Sequence, residues 1–254
     1  MTAAYTCDEL RVLARLAGAV LPACLDGGWS GDDQQVADVV AARCLLARGA
    51  LTQHAGGVRL TDAAQRLIAP LTSPHAILEV DCATPDGLCR TVTVWDTAGR
   101  LRLAEREPDV WQLSTPTRPP QADIAEALDG LSAAAPTAIA FTLDTAAFDR
   151  AGRWHRSGHP AEAADQLAAA GVDGDAAAAW LSALGDWRAE GSFRLGERHG
   201  TDGFALAELS WLDARDGGLW QITPALDLGT VTVAGATADE LRSAAANLLL
   251  GVAP

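Results

Sequence analysis

The chain has 254 residues, 49% of them hydrophobic, which is enough for one large domain or two small domains with a well-filled core. The formal net charge of −14 opposes binding to phosphate backbones, which requires a local excess of positive charge, so nucleic-acid binding is not expected. No apolar run approaches the length of a bilayer span, so membrane insertion is not expected either.

The cysteines indicate a reduced, cytoplasmic protein. Their number is odd, no two are spaced as Cys-x-x-Cys, and no signal peptide is evident. Cys82 and Cys89 flank a predicted turn, and a hairpin could bring them opposite each other. Because cytosolic thiols rarely pair, we expect both to be buried or edge thiols. The five are Cys7, Cys24, Cys44, Cys82 and Cys89.

The first quarter of the chain predicts three helices and one short strand. Thr6–Glu9 is a capping box, Thr-x-x-Glu, which opens the first helix. The second helix is predicted over Asp33–Arg48, followed by a strand over Gly57–Leu60. Thr61 then caps a third helix that stops at Pro70.

Two helices followed by a short β segment could also form a winged helix, which would make the protein a DNA-binding regulator. A helix that reads DNA carries several Arg, Asn or Gln on its exposed face. The candidate helix, Asp33–Arg48, has two Gln and two Arg but also two Asp, so it is nearly neutral. The basic surface expected of such proteins is missing, and the regulator is therefore the alternative hypothesis.

From Ala76 onward the pattern changes to strands separated by turns. A proline-led helix, Pro120–Leu131, follows them, and the small-residue segment Ser132–Pro136 marks the predicted boundary between two halves, 1–136 and 137–254. The predicted strands of the first half are Ile77–Val80, Thr91–Trp95, Arg100–Glu105 and Val110–Leu113.

The second half begins with an apolar strand, Ala138–Leu143, and a short helix through Phe148. Arg150–His159 is polar and contains glycine, so we expect a surface loop there. Pro160 suits the first position of a helix that Gly171 closes.

The rest of the chain predicts a helix, an antiparallel meander and a final helix. Asp173 or Asp175 caps the first of these helices, and three of its apolar residues recur at helical spacing on one face. The meander begins at Gly191, and Thr237–Glu240 is a capping box that opens the last helix. The apolar face consists of Trp180, Leu184 and Trp187.

No motif indicates catalysis, a metal or a cofactor. The sequence lacks a phosphate-binding Gly-rich loop, a Gly-x-Ser-x-Gly elbow and a His-Glu-x-x-His helix. His155 and His159 are four residues apart, but no third ligand is obvious and Gly158 interrupts the helix that this spacing needs. Asp213 and Asp216 fall in a predicted turn, where Asp is favoured for its own backbone hydrogen bonds. We therefore expect a protein that is not an enzyme.

The two halves share an order of elements. Asp123–Leu128 and Asp239–Ala244 begin 116 residues apart, and each closes a block of strands that contains a Trp and an Asp-rich turn. This pattern predicts an α+β fold of two pseudo-repeated halves, each an antiparallel sheet with packed helices.

The layout resembles the EspG family, the cytosolic chaperones of actinobacterial type VII (ESX) secretion. An aliphatic helix leading to a Leu-Pro stop, an Arg-Gly-bearing helix end and a Leu-x-x-Pro stretch recur near the start, as Leu13–Pro22, Leu45–Leu51 and Leu71–Pro74. The second half is similar to the family at Leu167–Ala176, Ala189–Phe193, Trp211–Trp220 and Thr230–Val233.

The resemblance implies a non-catalytic protein that binds helical PE–PPE heterodimers near an apolar tip, keeps them soluble and delivers them to the secretion machine. The meander offers four apolar candidates for client contact, and the Ala83–Leu88 loop offers Pro85 and Asp86 as a flanking arm. For the tryptophans, core packing is an equally open alternative, and a homodimer also stays open. The four candidates on the meander are Phe193, Leu195, Trp211 and Trp220.

Overall fold

A computed structural model describes residues 2–25, 31–97, 99–132, 137–199 and 203–251. The predicted boundary segment Ser132–Pro136 lies outside these residues except for Ser132. The chain forms two compact units that are both discontinuous in sequence. The first comprises Met1–Glu79, Cys89–Pro120 and Leu195–Leu206, and the second Val80–Leu88, Gln121–Arg194 and Ala207–Pro254.

The first unit combines three helices, a two-stranded β2-β3 sheet and strands that pair in the order β1-β7-β6-β5-β4. In chain order its elements are β1 (Thr2–Thr6), α1 (Cys7–Ala17), α2 (Gly31–Ala47), β2 (Leu51–His54), β3 (Gly57–Leu60), α3 (Asp62–Ile68), β4 (Ala76–Thr84), β5 (Gly87–Trp95), β6 (Arg100–Glu107) and β7 (Val110–Ser114).

The core of the first unit lies between the helices and one face of the sheet. Val92 pairs with Leu103 and Val94 with Leu101 across β5 and β6, so all four side chains are buried on the same face. Leu10 of α1 belongs to the same apolar cluster. This unit is therefore an antiparallel sheet with helices packed against it.

Two elements of the first unit, β1 and β2, do not follow from sequence patterning. β1 combines Thr2, Tyr5 and Thr6 with two alanines, and it pairs with β7, where Tyr5 lies opposite Trp111. This long-range pairing outweighs the weak strand propensity of Ala3 and Ala4. The capping box at Thr6 and the cap at Thr61 are both present, as predicted.

The second unit includes the end of β4 and pairs its strands in the order β4-β9-β10-β11-β12-β8. Its further elements are α4 (Gln121–Ala127), β8 (Ala140–Asp144), α5 (Thr145–Arg156), α6 (Pro160–Ala169), α7 (Gly174–Gly185), β9 (Trp187–His199), β10 (Gly203–Ala214), β11 (Gly218–Ala225), β12 (Thr230–Ala236) and α8 (Ala238–Leu248). The molecule is thus an α+β protein with a large antiparallel sheet, which confirms the predicted α+β class.

Three local predictions in the second unit are wrong. The segment Arg150–His159, expected to be a loop, is helical as far as Arg156, where α5 ends. The Asp144 carboxylate caps the start of this helix, and Gly158, at φ 80°, follows its end. Trp187 begins β9 instead of extending the apolar face of α7. Asp213 lies inside β10, opposite Leu219 of β11, and not in the turn. The predicted caps at Asp173 and Thr237 are present.

Candidate partner-binding surface

The four apolar candidates of the meander lie in the protein interior. None of their side chains is more than 4% exposed, so in this conformation they have no surface to offer a partner. They occupy three strands: Phe193 and Leu195 in β9, Trp211 in β10 and Trp220 in β11. Their common role in the structure is to fill the core.

Trp220 packs against α7. Its ring meets the Trp180 ring edge-on, with centroids 5.4 Å apart, and Trp180 in turn stacks at 6.0 Å on Phe148 of α5. Aromatic contacts of this geometry stabilise a core beyond the effect of buried area alone. The three rings therefore attach two helices to the sheet of the second unit.

The indole ring of Trp211 lies very close to the backbone of Gly191. A Cβ atom at Gly191 would lie 2.7 Å from Cζ2 of Trp211 and would also meet the backbone carbonyl oxygen of Asp81. Only a residue without a Cβ allows β9 to pass this close to the indole. Gly191 lies in Ala189–Phe193, one of the segments similar to the EspG family, and the close packing explains why a glycine is needed at this position.

Asp213 is a buried structural carboxylate. Its Oδ2 atom lies 2.6 Å from Nη2 of Arg188 and accepts a hydrogen bond of 3.0 Å from the backbone N–H of Ser132. A charge taken out of water is tolerated when it is paired and hydrogen-bonded in this way. The interaction joins β9, β10 and the segment after α4.

Pro85 and Asp86 form the exposed tip of the β4–β5 hairpin. Thr84 donates a side-chain hydrogen bond of 3.4 Å to the carbonyl oxygen of Gly87 across this turn. Leu88 is 53% exposed next to it, and Cys89 is also exposed. The flanking arm expected from the sequence is therefore a surface feature that a partner can reach.

Sequence reasoning missed a second apolar tip, at the β11–β12 turn. Leu226 and Leu228 are 53% and 71% exposed on either side of Asp227. Turns favour Gly, Pro, Asn, Asp and Ser, so two leucines in a four-residue connection were a signal available in the sequence. Exposed apolar residues gathered in one place are typical of protein–protein contacts.

His155 and His159 were considered above as metal ligands. In the described part of the chain, no three His, Cys, Asp or Glu side chains come together in a way that could hold a metal ion. His155 lies on α5, whereas His159 precedes α6 and packs edge-on against Trp154, with centroids 5.5 Å apart. These two histidines therefore have other neighbours.

The exposed face of α2 does not favour the DNA-binding alternative. Val36, Val39 and Val40 are exposed there, and the first turn carries Asp32 and Asp33. Apolar side chains cannot make the hydrogen bonds that read base edges, and the carboxylates repel phosphate. This helix is better suited to contact protein than to enter a DNA groove.

No protein-family model matches the chain, and no curated protein matches it. Its structure is similar to that of the type VII secretion system chaperone EspG5 of Mycobacterium tuberculosis, solved in complex with a PE25–PPE41 dimer. The match covers 98% of this chain and 96% of that chain, with a TM-score of 0.62 and 16% sequence identity. The chain therefore has an EspG-like fold, as the resemblance in sequence layout implies.

In the ranges that the structure describes, no helix is both long and apolar enough to cross a membrane.

Proposed function

We propose that this protein is a non-catalytic cytoplasmic chaperone or adaptor for type VII secretion. It binds helical substrates of the PE–PPE or a related type, keeps them soluble and delivers them to the secretion machine. The observation that carries the proposal is the likeness, over almost the whole chain, to a chaperone whose structure includes a PE25–PPE41 dimer.

The physical properties of the molecule suit this role. A client with an exposed apolar tip aggregates unless a partner covers it, and a partner of net charge −14 keeps the complex soluble by repulsion. The contact residues are proposed among exposed side chains: Pro85, Asp86 and Leu88 on one hairpin, Leu226 and Leu228 on the other. Phe193, Leu195, Trp211 and Trp220 are buried, and their proposed contribution is to the packing of the sheet rather than to direct client contact.

The test is co-expression with a PE–PPE heterodimer encoded near this protein's gene, followed by size-exclusion chromatography with light scattering. We expect a stoichiometric complex that survives moderate salt. The double variant Leu226→Ser/Leu228→Ser should bind roughly tenfold or more weakly, because each leucine contributes about 1.5 kcal/mol when it is fully covered.

Two further variants make the test specific. Pro85→Ala/Asp86→Arg examines the other hairpin, and Val20→Ser, which changes an exposed apolar residue of the first unit, should leave binding unchanged. Circular dichroism checks that each variant is folded. The absence of a complex with any neighbouring helical protein, for a folded wild-type chain, would overturn the proposal. The homodimer left open by the sequence is a separate question from client binding.

A further inference from the structure

One helix presents an exposed apolar face in the described part of the chain. On α2, Val36, Val39 and Val40 are 65%, 48% and 54% exposed, and Cys44 and Ala47 continue the same face toward the end of the helix. Valine is a weak helix former, so three exposed valines in one helix do not help it to form. They are more readily explained by contact with another molecule.

The opposite face of α2 is firmly attached to α1. Asp38 accepts hydrogen bonds from Arg11 Nε at 3.0 Å and from Arg15 Nη1 at 2.7 Å, while Ala41 and Leu45 are buried beside it. Rotation of the helix to hide its valines would break these ion pairs and expose the buried residues. The apolar face is therefore a fixed feature of the first unit.

The exposed face has the spacing of a coiled-coil seam. Its residues follow one another at intervals of three, four, three and four positions: Asp33, Val36, Val40, Arg43 and Ala47. When two such helices pack antiparallel, each a position faces a d position of the partner. Suppose that the two-fold axis of such a pair passes midway between Val36 and Val40. Val36 of each copy then faces Val40 of the other copy, and Asp33 of each copy faces Arg43 of the other copy.

We propose that two copies of this chain associate through antiparallel pairing of their α2 helices. The charges favour this occupant, because one helix supplies both the acidic and the basic residue of each outer layer, as a two-fold interface requires. Neither Asp33 nor Arg43 is engaged in an ion pair within the described ranges of the chain. Their side chains are exposed and available to a second copy.

The interface is small, and this sets how it must be measured. One pair of 17-residue helices covers less than the roughly 800 Å² per partner of a standard stable interface. The dimer is therefore weak, and its population rises with protein concentration. This association does not depend on the proposed client, and it can be tested with the protein alone.

Sedimentation velocity of the full chain over a wide concentration range tests the proposal. We expect a monomer–dimer equilibrium in which Asp33→Arg or Arg43→Asp alone weakens association roughly tenfold or more, because each substitution sets like charges together at two symmetric positions. The double variant Asp33→Arg/Arg43→Asp restores opposite charges in both layers and should recover the wild-type affinity. Val36→Ser/Val40→Ser should abolish the dimer.

Arg66→Asp is the matched control, because it reverses another exposed arginine, on α3, and should leave association unchanged. Circular dichroism and thermal melting verify that the variants are folded. A chain that stays monomeric at every concentration, or a dimer whose affinity the charge reversals do not change, would overturn the proposal. If α2 variants of a monomeric chain instead lost a client complex or bound duplex DNA differently, the occupant would be that partner and not a second copy.

Discussion

Gly191 shows how tightly the interior of the second unit is packed at a single residue. We predict that Gly191→Ala destabilises the protein by about 1–3 kcal/mol, because the added methyl group would overlap the Trp211 indole and a backbone carbonyl, neither of which has room to move. Gly174→Ala is the control, since a Cβ at that helix position meets nothing within 4 Å. Urea denaturation of both variants measures the difference, and equal midpoints would contradict the close packing described for Gly191.

Residue types alone predicted the apolar candidates but not their orientation. Trp211 and Trp220 lie in strands whose alternation could place either face inward, and an aromatic ring suits a core as well as an interface. Trp220 is buried because α7 packs on its face of the sheet, whereas Trp211 is on the other face and lies against Gly191. Neither contact can be inferred from the local sequence. Leu226 and Leu228 are the opposite case, because apolar residues in a short turn signal exposure locally.

At the scale of elements, α1 and α2 are held together by Asp38. Burial raises the pKa of this carboxyl group, but hydrogen bonds and charges from Arg15 and Arg11 outweigh it, and the net pKa is lowered. A group whose pKa is lower in the folded state stabilises the protein above its unfolded pKa and loses this effect as the pH falls through its folded pKa. The loss is therefore expected below about pH 4.

We predict that Asp38→Asn lowers the free energy of unfolding at pH 7 by about 1–3 kcal/mol, because Arg15 loses its carboxylate partner and Arg11 keeps only Asp8. Stability curves from pH 3 to pH 7 should also be flatter for this variant than for the wild type. Asp32→Asn, an exposed carboxylate in the same helix, serves as control and should retain the wild-type acid slope. Identical acid slopes for Asp38→Asn and the wild type would show that the ion pairs do not contribute.

Elements with a local signal were predicted well, and elements without one were not. The capping boxes at Thr6 and Thr237 fix where α1 and α8 begin, because the side chain and the backbone of four consecutive residues satisfy each other. β1 exists only through its pairing with β7, more than 100 residues away. The second half of α5 was missed because Gly152 and a run of polar residues suggested a loop, although the helix continues to Arg156.

For the whole molecule, net charge determines how strongly two copies repel each other in solution. The sequence pI is about 4.6 and the net charge at pH 7 is −14, so mutual repulsion is strong at neutral pH and vanishes near pH 4.6. We predict that the solubility of the protein, and of any client complex that it forms, falls to a minimum near pH 4.6. Turbidity measured between pH 4 and pH 8 tests this, with circular dichroism at each pH to separate precipitation of the folded protein from unfolding.

The loss of stability linked to protonation of Asp38 begins below about pH 4. It is therefore separable in pH from the solubility minimum. A folded protein that stays fully soluble at pH 4.6 would show that charge repulsion is not what keeps it in solution.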